Sequence, residues 1–196
     1  MASLKLITFS DAAGSRAGVL LDGGRVLDLG AAMPPARDML ALIEAGPAAL
    51  AAVRALAANP PAAAVLPLAS VALQAPIPRP RRNVFCVGRN YMYHVAEGDR
   101  TRGITNSEVP KCPQFFTKAP DTVIAPGALV PSHTGVTEWL DYEVELVAVI
   151  GKAGSNIAKD KALDHVFGWT IGNDVTGREL QRRHGQWFKG KSLDRS

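Results

Sequence analysis

Cysteine is scarce in this chain of 196 residues: Cys86 and Cys112 are the only two, in unrelated contexts and without metal-binding spacing. A disulfide framework is therefore not supported, and a reducing cytoplasm is the expected compartment. No stretch approaches the roughly 18 consecutive apolar residues of a membrane span, so no membrane partner is expected. The opening segment, Met1 to Asp11, lacks a long apolar core and meets an acid early, which argues against a secretory leader. Charge of one sign does not dominate, the formal net value being +4. Basic residues gather at Arg79, Arg81 and Arg82, and again at Arg178, Arg182, Arg183, Lys189 and Lys191. No aromatic-interleaved basic stripe accompanies them, so no nucleic-acid partner is expected. A small anionic substrate accounts for such local positive charge equally well. What remains is ordinary globular material, 47% hydrophobic and 20% charged, long enough to bury a real core.

The texture changes near residue 76. Before it, Leu4 to Phe9, Ala17 to Leu21 and Val26 to Leu29 read as short strands, with a turn at Asp22-Gly-Gly24. Asp38 to Glu44 and Ala48 to Ala58 read as helices broken at Gly46-Pro47. Pro76, Pro78 and Pro80 make a stiff extended connection. The expected organisation is a small N-terminal α+β domain over residues 1–75 and a second domain over 76–196. In the latter, Val84 to Gly88 reads as a buried strand, Gln114 to Lys118 and Val123 to Pro126 as strands, and Asp160 to His165 as a short helix. Val175 to Arg183 is polar and helical in pattern.

Three carboxylates sit where apolar side chains would be expected. Asp141 to Ile150 reads as one strand, and side chains two apart on a strand point the same way, so Glu143 and Glu145 share a face. The run Leu146 to Ile150 is fully apolar, as in a strand buried on both faces. Asp174 follows a second apolar strand, Val166 to Asn173. Two like charges this close are costly in a dry interior unless a cation compensates them. Three oxygen ligands suit a hard cation such as Mg²⁺. A strand with one wet face would show the same acid spacing.

His94 and Glu97 are spaced i, i+3 and face the same way on a helix. A carboxylate beside an imidazole raises its basicity and orients it, as a general base requires; a solvated helix face would carry the same pair. Lys191 is suited to clamping an anion or an enolate, or to lying in solvent. Gly185 to Ser192 also matches the phosphate-loop pattern G-x-x-x-x-G-K-[ST] letter for letter. Its context is wrong, because the polar segment Glu179 to His184 precedes it where a buried strand should stand.

Taken in order, Gly88-Arg-Asn-Tyr91 with His94 and Glu97, Phe115-Phe-Thr-Lys-Ala-Pro120, Asp141-Tyr-Glu-Val-Glu145, Asn173-Asp-Val-Thr176 with Arg178 and Gln181, and Gln186 to Ser192 form a set. Over roughly residues 83–194 this set resembles the fumarylacetoacetate hydrolase family. The resemblance implies a mixed β-roll in an α+β chain, usually dimeric, so a homodimer is expected. It implies Mg²⁺ or Mn²⁺ on Glu143, Glu145 and Asp174, and a water-activating dyad of His94 and Glu97. Lys191 would act as a catalytic group, with Gln181, Arg89 and Tyr91 contacting substrate. The implied substrates are small anionic 2-oxo acids, and the first expectation is C–C hydrolysis of acylpyruvate-like or fumarylacetoacetate-like compounds. The alternatives are decarboxylation or isomerisation of a ring-cleavage dicarboxylate in aromatic compound catabolism, or a non-catalytic metal-binding relative. Family members continue well past Asp194, so the expectation is a chain lacking the C-terminal part, with its pocket incomplete. Gly177 stands where the family usually has alanine.

Overall fold

The computed structural model describes residues 3–34, 37–100, 103, 105, 108 and 110–196. In chain order the first elements are β1 (Leu6–Asp11), β2 (Gly14–Leu21), β3 (Arg25–Asp28), α1 (Leu29–Ala32) and α2 (Met39–Ala58). Then come β4 (Val65–Pro67), β5 (Ala72–Gln74), β6 (Val84–Gly88), α3 (Met92–Arg100) and β7 (Gln114–Lys118). The last are β8 (Leu140–Asp141), β9 (Val144–Ile150), β10 (Val166–Asn173), β11 (Thr176–Gly177), α4 (Arg178–Arg183) and α5 (Phe188–Lys191). The chain forms two compact units: residues 1–78, 124–129 and 144–173 make one, and residues 79–123, 130–143 and 174–196 the other.

The first unit is built on an antiparallel sheet of order β4-β3-β2-β1-β5. Its core gathers Ala17, Val19, Leu27, Leu29, Leu42, Ile43 and Val53, with Val149 and Phe167 of the β9–β10 hairpin packed against it. Burying a side chain of this size contributes about 1.5–3 kcal/mol, so this cluster is the unit's main source of stability. α2 begins at Asp38, whose carboxylate accepts from Ala41 N at 2.8 Å and satisfies an otherwise orphaned amide. It is not one continuous helix. Gly46 has φ 72°, open to a residue without a β-carbon, and Pro47 restarts the helix behind it. By length and composition the segment could cross a membrane. The break leaves two pieces each shorter than the ~20 residues a span requires, and Met39, Leu42, Ile43 and Val53 are buried in the unit's own core.

β9 and β10 pair antiparallel in a register that sets Glu145 opposite Gly172 and Val144 opposite Asn173. Here the expectation of a strand buried on both faces is corrected. Glu145, Val147 and Val149 lie on the half-buried side, whereas Leu146 and Ile150 are each 62% exposed and Trp169 and Ile171 are exposed beside them. Among the described residues this two-stranded hairpin has one face on the core and the other exposed, so the apolar run alternates in burial although it does not alternate in composition.

In the second unit β6 pairs antiparallel with β7 and β8 with β11. Residues 123–126 form no strand, and β6 is not buried as expected: Phe85 and Val87 are exposed. α3 turns Val95 and Asp99 inward, and Asp99 receives Arg89 at 3.1 Å. The predicted helix 175–183 begins only at Arg178, because Thr176 and Gly177 are drawn into the pairing with β8.

Candidate functional site

The site grows from a break in a strand. The sequence reads 141–150 as one strand, but Tyr142 and Glu143 interrupt it, so β8 and β9 are separate. The two-residue alternation that placed Glu143 and Glu145 on one face does not run through this break. Glu143 instead receives Asp174 N on its backbone oxygen at 2.8 Å, which brings the two acidic residues side by side.

Their carboxylates converge on one ammonium group. Lys191 Nζ donates to Glu143 Oε1 at 2.8 Å and to Asp174 Oδ2 at 2.6 Å, and its side chain is only 2% exposed. Lys118, at the inner end of β7, donates to Asp174 Oδ1 at 2.7 Å and to Val175 O at 2.9 Å. Arg178 NH1 reaches Glu143 Oε1 at 2.7 Å, and its Nε donates to Asp141 at 2.8 Å. The Thr176 hydroxyl completes the set with a 3.0 Å bond to Glu143 Oε1. Buried charges persist only when paired and hydrogen-bonded, and here three cations face three carboxylates.

The electrostatics follow from this packing. Burial by itself would raise the Glu143 carboxyl, but Lys191, Arg178 and the Thr176 hydroxyl outweigh it and hold it below the ordinary carboxylate value. Burial pushes the Lys118 ammonium below its ordinary value; Asp174 opposes that shift and neighbouring Lys191 adds to it.

Lys191 reaches this point because α5 packs closely on α4. A β-carbon on Gly190 would meet Gln181 N at 2.5 Å and both Gln181 Cα and Gly177 O at 2.8 Å, so only glycine permits the approach. Ser192 Oγ accepts from Ala119 N at 3.1 Å. Each residue of the Gly-Lys-Ser triplet thus has a structural contact of its own, and α5 is a four-residue turn. The phosphate-loop match is accidental. Phe116 links the same region, with Lys191 Nζ 4.9 Å from its ring centre and Trp187 edge-on at 5.4 Å.

Of the expected site residues, the fold brings Glu143, Asp174 and Lys191 into direct contact. Gln181 stands one contact away, its Oε1 accepting from Arg178 NH1 at 3.1 Å. Glu145 lies in β9, half-buried on the side of Val147 and Val149. His94 and Glu97 are both exposed on α3 and form no hydrogen bond with each other among the described residues. Tyr91 is exposed, and Arg89 is engaged with Asp99. Lys118, Arg178 and Thr176 carry the cluster as much as the expected residues do. Lys118 had one signal in the sequence, a lysine closing the apolar strand Gln114 to Lys118, where a solvated residue would be expected.

A divalent cation tests well against two of the three expected ligands. Glu143 and Asp174 already hold a cationic atom between them, and hard carboxylate oxygens are the donors Mg²⁺ and Mn²⁺ take. Among the described residues no third acidic, histidine or cysteine side chain joins them in one cluster.

Comparison with known proteins finds relatives of this chain. Residues 83–196 match the family model described as fumarylacetoacetate (FAA) hydrolase C-terminal. The chain is 51% identical over 127 residues to the oxaloacetate tautomerase YisK of Bacillus subtilis, covering 65% of this chain and 40% of that protein. It is 40% identical over 179 residues to the mitochondrial oxaloacetate tautomerase FAHD2A of Homo sapiens, covering 88% of this chain and 52% of that one. Among solved structures, the fumarylacetoacetate hydrolase of the psychrophile Exiguobacterium antarcticum superposes with a TM-score of 0.76 at 34% identity, over 98% of this chain and 63% of its own. A 5-carboxymethyl-2-hydroxymuconate delta-isomerase from Mycobacterium smegmatis superposes with a TM-score of 0.65 at 26% identity, over 97% of this chain and 62% of its own. The chain thus spans 40% to 52% of the length of these two curated relatives. The α+β fold is the one these structures share.

Proposed function

The chain belongs to the fumarylacetoacetate hydrolase family, and on that premise we propose that it serves a metal-dependent enzyme catalysing keto–enol exchange on small anionic 2-oxo acids such as oxaloacetate. The observation that carries this reading is the buried Lys191 ammonium held between Glu143 and Asp174. The relatives named as oxaloacetate tautomerases and as an isomerase favour the isomerase alternative over C–C hydrolysis.

Keto–enol exchange moves one proton between C3 and the oxygen on C2 of the substrate. Charge builds on that oxygen, so the site needs a preorganised cation there and a group that handles the carbon-bound proton. Lys191 is the cationic donor for the developing enolate oxygen. Arg178 bonds the Gln181 oxygen, which leaves the amide NH₂ of Gln181 to donate to a substrate carboxylate. His94 and Glu97, on one face of α3, take and return the C3 proton. Glu143 and Asp174 would hold Mg²⁺ or Mn²⁺, whose contribution is to draw electron density from the 2-oxo carbonyl.

The test follows the ultraviolet band of enol-oxaloacetate on adding the purified chain with Mg²⁺ or with a chelator, beside Lys191→Met. Decay should accelerate with Mg²⁺, and the variant should lose at least about a hundredfold, the typical cost of one charge-stabilising donor. A folded, metal-loaded chain that leaves the decay unchanged would sink the reading. Release of two acids from an acylpyruvate would return it to hydrolysis.

A further inference from the structure

The two lysines on Asp174 are not equivalent. Lys118 rises from a paired strand, bonds Oδ1, and has a second, neutral partner in Val175 O at 2.9 Å. Lys191 is bonded by two carboxylates, through Oδ2 of Asp174 and Oε1 of Glu143, and it sits where those two carboxylates converge. A cation shared through these same two oxygens would lie at that point. Hard divalent cations hold oxygens at about 2.0–2.6 Å, so an ammonium and a dication cannot occupy one seat between the same two oxygens.

We propose that Lys191 is an exchangeable counter-ion that gives up its place between Glu143 and Asp174 to a divalent cation, while Lys118 stays as the positioning residue that fixes Asp174 for that cation. The inference rests on the metal-dependent reading above. Lys191 has the means to move: a flexible four-carbon stem, a seat on a short helical turn, and the face of Phe116 at 4.9 Å as a resting contact for its charge. Lys118 lacks that freedom, since leaving Asp174 would also strand Val175 O, a buried carbonyl. Exchange does more than admit the cation. It releases a lysine charge beside the newly bound cation, and together they suit the carboxylate and carbonyl oxygens of a 2-oxo acid.

The measurement is Mn²⁺ binding by the full chain, read from the spin-resonance signal of free Mn²⁺, for the unaltered protein, K191M and K118M. Both variants remove one positive charge, so a purely electrostatic effect tightens both alike. Exchange predicts that K191M tightens binding about tenfold while K118M weakens it about tenfold, the loss typical of a displaced supporting partner of a metal ligand. Equal tightening of both overturns the proposal, as does unchanged affinity in K191M. Should K118M fail to fold by circular dichroism, protein labelled with ¹³C at lysine Cε is titrated with Mg²⁺. The signal missing from K191M must shift as the cation binds, and a signal that stays put while the chain binds Mn²⁺ overturns exchange alone. Failure of all three proteins to bind Mn²⁺ overturns both exchange and the metal-dependent reading.

Discussion

In the unit built on residues 1–78, the fully buried large side chains are Phe9, Val19, Val26, Leu27, Leu29, Leu42 and Val53, and Asp28 is its one buried charged residue among those described. Arg16 covers Phe9 at 4.8 Å while binding Asp11 and Asp28. In the unit holding the acidic cluster the partition is reversed. Lys191, Thr176, Asp174 and Lys118 are buried, while Phe85, Tyr93 and Phe115 are exposed. The first arrangement draws its stability from area removed from water. The second sets charges in a dry interior, where they persist only because each has partners, and that is the environment in which charge chemistry is strongest. The contrast separates an apolar framework in one unit from a buried charged cluster in the other.

The sharpest way to break this comparison is Asp174→Ala, which takes a carboxylate partner from two buried ammonium groups at once. Removing one partner of a buried ion pair costs about 3–5 kcal/mol, so urea denaturation should show a loss of that order, together with loss of the proposed keto–enol exchange. A loss below about 1 kcal/mol would mean the cluster is wetter than its burial indicates. Next is Leu42→Ala in the apolar core, expected to cost about 2–4 kcal/mol and to leave Mn²⁺ affinity unchanged. A changed affinity would show that the two units are not independent in function. Smaller again is Asp38→Ala, which removes the cap of α2 and should cost about 1 kcal/mol by thermal unfolding.

The smallest effect belongs to the rim. Arg16 holds the Asp11 carboxyl at about 2, below its ordinary value of 3.8, through a hydrogen bond reinforced by the Ala13 amide and only weakly opposed by burial. A carboxyl lowered in the folded state adds stability above its unfolded value and loses it as pH falls through the folded one. Acid unfolding should therefore show a slope between about pH 4 and 2 that Asp11→Asn flattens. An unaltered slope would place the acid sensitivity in the buried cluster instead.

Much of the framework was legible beforehand. The three strands β1 to β3, the break at Gly46-Pro47 and the helix pair around it all announce themselves through local chemistry: turn glycines, proline, and runs of Ala and Leu. The motifs that carry the family were also legible, and they include Glu143, Asp174 and Lys191, which the fold brings into contact. What misled was periodicity. An apolar run such as Leu146 to Ile150 looks the same whether both faces are covered or one, because the run records composition and coverage depends on what packs above it. The strand break at Tyr142–Glu143 was equally silent.

By itself, then, the sequence determined the local elements, the order of the motifs and the family, since each depends on residues near one another in the chain. Only the tertiary structure decided that Lys118 and Lys191, 73 positions apart, would grip the two oxygens of one carboxylate. It also turned Arg178 toward Asp141, Glu143 and Gln181 at once. The physical reason is that a buried charge is specified by its partners. Those partners are chosen by strand register and by the close approach at Gly190, and no window of sequence contains them all.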